Sequence, residues 1–192
     1  MSDWSKRLRE SLAPALAEPD PRPHVSAYHD MPFAIFRYPP EDELKLRKEI
    51  HLLAARLESS GKKVERISLA ECLAEALAAE GLDSEELAKA ELAVGLEATI
   101  DTVHQVLADY QPLDERVAAR IPAAADPLQD VVFLERAGAL FPFYRTSSLL
   151  EQLEGKVAVP TILFYPGQLD GAAGLKFMGL LDAEHNYRPR IF

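Results

Sequence analysis

Cys72 is the single cysteine of the chain. It stands at the start of an Ala-rich helix, on what reads as its packed face, where a small buried thiol packs as a hydrophobe. Ser147 and Ser148 lack the G-x-S-x-G turn that exposes a hydrolase serine, so they read as helix-capping residues. A zinc site built on His24 and His29 needs further ligands, and Cys72, His51, His104 and His185 show no paired metal-ligand spacing. Scattered carboxylates define no acid/base pair, because that role depends on separation and environment in space.

The order of two segments resembles that of a phosphate-binding protein. A short apolar run feeds a helix through Arg37-Tyr-Pro-Pro-Glu-Asp-Glu43, and Val131–Glu135 ends a hydrophobic run in an acid. That order loosely imitates the phosphate and metal segments of P-loop proteins. The first loop opposes it: two prolines remove N–H donors and three carboxylates repel phosphate, where a cradle needs glycines and a lysine. Gly167, Gly171 and Gly174 miss the G-x-G-x-x-G spacing of a dinucleotide site and serve turns instead. The residues therefore nominate no catalytic group, cofactor site or metal ligand.

Two charge features stand out. Residues 71–109 hold ten acids against the single Lys89, a segment charge of −9 within a chain whose net charge is −10. Glu85, Glu86 and Glu91 lie on this stretch, which suits either a solvated face or an acidic docking surface and repels a nucleic-acid backbone. Arg136, Arg145, Arg188 and Arg190 gather towards the carboxyl terminus with Phe141, Phe143, Tyr144, Tyr165 and Tyr187. Such a composition fits a partner surface and also base stacking. Opposite charges at two places can orient one partner.

The elements that must position these groups follow from hydrophobic spacing. Seven of the 14 prolines fall between Pro14 and Pro40, so residues 1–30 read as a short helix and a Pro-rich arm, and residues 31–192 as a single α/β domain. Pro32–Arg37 is a buried strand; Leu46, Ile50, Leu53 and Leu57 stripe a helix that Gly61 stops. Val64–Ser68 is a second strand and Leu69–Glu80 a helix. Asp83 or Ser84 caps one long acidic helix striped by Leu92, Leu96, Ile100, Val103 and Leu107. Val131–Leu134 and Thr161–Tyr165 are strands on either side of a helix at Ser147–Leu153, and their unbroken apolar character implies cover on both faces. The tail, Gly174–Gly179 and Tyr187–Phe192, reads as a C-terminal edge hairpin. Strands separated by helices predict a three-layer α/β domain with a mostly parallel sheet, Rossmann-like or degenerate P-loop-like, with ligands expected at the carboxyl ends of its strands.

Composition agrees with one domain: 192 residues, 48% hydrophobic and 27% charged, enough to bury a core without disulfide or metal. The opening MSDWSKRLRE is charged where a signal peptide would be apolar, and a lone cysteine suits a reducing cytoplasm. No apolar run approaches the ~18 residues of a membrane span, so no membrane partner is expected.

The last third also carries a resemblance. Val131-Val-Phe-Leu-Glu-Arg-Ala-Gly-Ala-Leu-Phe-Pro142, Arg145-Thr-Ser-Ser-Leu-Leu-Glu-Gln-Leu153, Val159-Pro-Thr-Ile-Leu-Phe-Tyr-Pro-Gly167 and Asn186-Tyr-Arg188 resemble the BrxB family of bacteriophage-exclusion (BREX) defence systems. Chain length and the Phe33–Arg37 strand agree with it. The resemblance implies a small cytoplasmic antiviral component, encoded beside a methyltransferase, an ATPase and PglZ. It implies no catalytic motif, and so an adaptor that assembles with PglZ and other BREX subunits. Carried onto this chain, it directs attention to Arg145, Tyr165, Pro166, Gly167, Tyr187 and Arg188 as partner-binding positions, although Pro166 and Gly167 equally suit a turn after a strand. The alternatives are a nucleic-acid-binding subunit using the Arg/Tyr end and a cryptic nucleotide-processing enzyme.

Overall fold

The computed structural model describes residues 3–26, 32–171, 174–184 and 188–192. Helix α1 (Asp3–Arg7) continues through a π-helical turn, Leu8–Leu12, into α2 (Ala13–Ala17). Trp4, Leu8, Leu12 and Leu16 are all buried. Their four-residue spacing drifts around a 3.6-residue helix, and the wider π turn takes up that drift and keeps the four on one face. Trp4 Nε1 donates to Asp42 Oδ2 at 2.8 Å, and Arg9 reaches Glu49 at 3.1 Å, which ties this helix to the body. The proline-rich stretch that follows does not run as an extended arm. Pro21 and Pro23 stand just before and inside the first turn of a short helix α3 (Arg22–Val25), where a missing N–H costs nothing, and Val25 is fully buried.

Then come β1 (Phe33–Tyr38), α4 (Glu43–Ser59), β2 (Lys63–Ser68) and α5 (Leu69–Ala79). Ser68 Oγ accepts from Glu71 N at 3.3 Å and caps α5. Next are α6 (Ser84–Val94), α7 (Leu96–Gln105, extended by a π turn to Tyr110), α8 (Leu113–Ala118) and β3 (Asp130–Glu135). The chain closes with α9 (Thr146–Leu153), β4 (Thr161–Asp170), β5 (Gly174–Phe177) and β6 (Arg190–Ile191).

Among the described residues the strands form one six-stranded sheet in the order β2-β3-β4-β1-β6, with β5 joined to β4. Every pairing but β4–β5 is parallel. The expected α/β domain with a mostly parallel sheet is therefore present. Alternate side chains enter two cores: Ile35, Ile67, Val132, Leu134 and Leu163 face α5, α7, α8 and α9, while Phe36, Phe133, Ile162 and Phe164 face α1, α2 and α4. Phe133 meets Phe164 edge to face, with centroids 5.3 Å apart.

Two expectations are corrected. The two tail segments do not form a hairpin with each other. Gly174–Phe177 folds back antiparallel on the carboxyl-terminal extension of β4, an inner strand, and Arg190–Ile191 lies parallel to β1 at the edge of the sheet. The long acidic helix is two helices: Gly95, with φ of 89°, ends α6 and starts α7. Its proposed stripe divides accordingly, with Val103 and Leu107 buried but Leu92 and Leu96 90% and 60% exposed.

Candidate functional site

Helix α6 starts with Asp83, whose side chain accepts from the backbone N–H groups of Glu85 and Glu86 at 2.9 Å. Acids in a first turn sit well with the helix dipole, and Lys89 bridges Glu85 at 3.0 Å and Glu86 at 2.8 Å. No residue of α6 is buried, although Leu87 packs partly against the core. From Glu91 to Ala98 every residue is exposed, so Leu92, Val94 and Leu96 all stand in solvent around the α6–α7 corner, with Glu91 and Glu97 next to them in sequence. Glu85, Glu86 and Glu91 thus share a stretch with Leu92 and Leu96, which a stripe reading of the sequence places in the core.

The carboxyl-terminal positions do not converge. Tyr187 lies outside the described residues. Tyr165 is buried against Phe177, with centroids 5.4 Å apart. Gly167 is required by packing: a Cβ there would stand 2.3 Å from the Lys176 carbonyl oxygen and 2.4 Å from the Tyr165 ring. Pro166 accepts from Met178 N at 2.8 Å and lines a cavity at the strand ends. Arg145 pairs with Glu184 at 2.6 Å beside a second cavity lined by Asp101, His104 and Phe143. Arg188 is exposed near the β6 edge, where Arg190 stacks over Phe192 at 4.7 Å. The aromatic residues offered for stacking are withdrawn too, since Tyr144 is buried and Phe141 and Phe143 are half-buried. Ser147 and Ser148 lie inside the first turn of α9, whose cap position is Arg145.

The parallel register brings another set together. Tyr38, Ser68 and Glu135 end their strands at the carboxyl side of the sheet, and Pro166 ends the parallel pairing of β4 with β1 there. Arg66 grips the buried Glu135 with both arms of its guanidinium, at 2.5 and 2.8 Å, and this bond holds Arg66 above its ordinary pKa. Arg47 pairs with Glu43 at 2.7 Å, and Glu43 also accepts from the Tyr38 hydroxyl. Burial, followed by the charge of Glu43, pushes Tyr38 far up, so it donates as a neutral phenol. Arg47, Arg66, Ser68 and Arg136 line one cavity of about 290 Å³. Arg47 and Arg136 also line its neighbour of about 300 Å³. Sequence reasoning passed over Arg47 and Arg66, because their surroundings come from α4 and β2. The strand-tip rule for parallel sheets was the available signal.

Cys72 is buried, and that burial pushes its thiol up, away from the range of a reactive nucleophile. Among the described residues, no three His, Cys, Asp or Glu side chains gather as metal ligands. His51 faces Arg66, and His104 meets the Phe143 carbonyl. His29 and His185 lie outside the described residues. Among the described residues no helix is long and apolar enough to cross a membrane.

Residues 65–191 match the family model described as BREX protein BrxB. The chain belongs to the BrxB family. A BrxB relative, "BREX protein BrxB" of Bacillus cereus (strain H3081.97), is 27% identical over 196 residues that cover 96% of this chain and 94% of its own. No solved structure matches. Membership makes the chain a component of a BREX phage-defence system. The BrxB match takes in α5 to β6, and with them the α6–α7 corner, Arg66, Glu135 and Arg136. The amino-terminal helix, β1 and α4 precede it, and the B. cereus BrxB alignment is long enough to reach into them.

Proposed function

We propose that this BrxB-family protein is a non-catalytic adaptor, working in the cytoplasm, that contacts PglZ and joins it to other BREX subunits. The observation that carries the reading is the α6–α7 corner. Leu92 and Val94, on a helix with no buried residue, and Leu96, at the start of the next, are all exposed, on a stretch that also carries Glu85, Glu86 and Glu91. Exposed leucines on an element that contributes little to its own core are what a partner covers. The acidic stretch suits an apolar recess with a lysine- or arginine-rich rim, in which the acids steer encounter and the leucines supply the affinity.

The nucleic-acid alternative is weaker on geometry. It relies on arginines and aromatics that the fold separates or buries, and the largest exposed charge patch named above is acidic.

Tagged full-length protein is co-purified with PglZ and the other BREX subunits. The native chain is expected to retain PglZ. Leu92→Asp with Leu96→Asp should weaken retention by about tenfold or more. Glu85→Lys, Glu86→Lys and Glu91→Lys combined should slow association and reverse its salt dependence. Failure to recover PglZ, or full retention by the double aspartate variant, overturns the proposal.

A further inference from the structure

Among the described residues, two non-glycine residues have left-handed backbone, Arg136 at φ 60° and Met178 at φ 55°. Both line the same strand-tip cavity. Such conformations cost free energy for L-residues and collect where a site dictates the backbone. Arg136 is also poorly satisfied. Its Nη1 lies at 3.5 Å from Ser68 Oγ, at the limit of a hydrogen bond, and its Nε is buried without a partner among the described residues. The neighbouring cations are committed: Glu135 holds Arg66, and Glu43 holds Arg47. Arg136 therefore brings the uncompensated donor to a cleft in which three guanidinium groups meet from α4, β2 and the end of β3.

The cleft has two compartments that share Arg47 and Arg136. One is polar, with Arg66, Ser68, Glu71 and Glu135; the other has Glu43, Ala139, Pro166 and Met178 on its walls, so that Arg136 is the guanidinium without a carboxylate paired to it. We infer that it binds a small phosphate monoester carrying an apolar ring, with the phosphoryl oxygens on Arg136 and on the terminal nitrogens of Arg47, of which Glu43 takes only Nε, and the ring against Pro166 and Met178. Guanidinium groups from two elements, Arg136 after β3 and Arg47 on α4, suit a tetrahedral group with several terminal oxygens, whereas Glu135 and His51 already take the N–H groups of Arg66. The phosphate is held by side chains. The loop before α4 has prolines and acids where a backbone cradle needs N–H donors, and Glu43 already sits at that helix end. This inference does not depend on the adaptor role, since it concerns the protein alone.

Adenosine 5′-monophosphate, adenosine and inorganic phosphate are titrated calorimetrically into the full chain. The nucleotide is expected to bind at about millimolar or better, inorganic phosphate to compete with it more weakly, and adenosine to give no heat up to about 10 mM. Arg136→Gly suits the left-handed backbone. It should melt no lower than the native chain while losing roughly 10- to 100-fold in nucleotide affinity, the worth of a charged hydrogen bond. Arg136→Asn, which also tolerates this backbone, should lose affinity to the same degree and provides the test if the glycine variant folds poorly. No nucleotide binding up to about 10 mM, equal binding of adenosine, or undiminished binding by a folded Arg136 variant each overturns the inference.

Discussion

At Gly167 the side-chain position is filled by other atoms: the Lys176 carbonyl oxygen and the Tyr165 ring both stand closer to the virtual Cβ than any real contact. The carbonyl belongs to the β4–β5 ladder and cannot swing aside like a side-chain end. Gly167→Ala is therefore expected to destabilise at or above the upper end of the about 1–3 kcal/mol typical of overpacking, read as a lower urea midpoint. Its position beside Pro166 makes it look like part of a binding motif, but its demand is steric. At Arg136 the situation is opposite. A bulky residue occupies a backbone conformation that glycine would adopt more cheaply, which points to the guanidinium as the reason it is there.

Among the elements, α4 and α6 show how similar patterns reach different ends. Both carry leucines, but α4 has them at helical spacing and buries Leu46, Ile50, Leu53 and Leu57 against the sheet, whereas α6 has Leu87 and Leu92 five apart and buries nothing. Helical stability comes mainly from a packed apolar face, so α6 belongs to the easily opened part of the molecule. Hydrogen exchange of the native protein should show Ser84–Val94 amides exchanging several kcal/mol more readily than those of Ile50–Leu57. Equal protection in the isolated chain would mean that α6 already has a partner, such as a second copy. The break at Gly95 matters for the same reason: a continuous helix would turn Leu92 onto the side of α7 that carries Val103, which is buried.

For the whole molecule, the amino-terminal helix is one wall of the second core, where Trp4, Leu8, Leu12 and Leu16 meet Phe36, Ile50 and Phe164. Leu12→Ala is expected to cost about 2–5 kcal/mol in chemical denaturation. Removal of residues 1–17 strips four large buried side chains, at roughly 1.5–3 kcal/mol each. That approaches the entire stability of a domain, so the truncated chain should not fold. Local spacing was enough to determine the main strands, α4, α5, α9 and the α/β class, since each of these is encoded by neighbours a few residues apart. The BrxB resemblance was likewise legible in contiguous segments. Tertiary structure alone decided that the two tail segments part, one to the extension of inner strand β4 and the other to the β1 edge, and that Leu92 and Leu96 face outward. It alone brought Arg47, Arg66 and Arg136 to one cleft, because the order β2-β3-β4-β1 sets side by side strand ends that the chain keeps far apart. Periodicity reports which residues are apolar together, and only the pairing of strands and the packing of helices fixes what they meet.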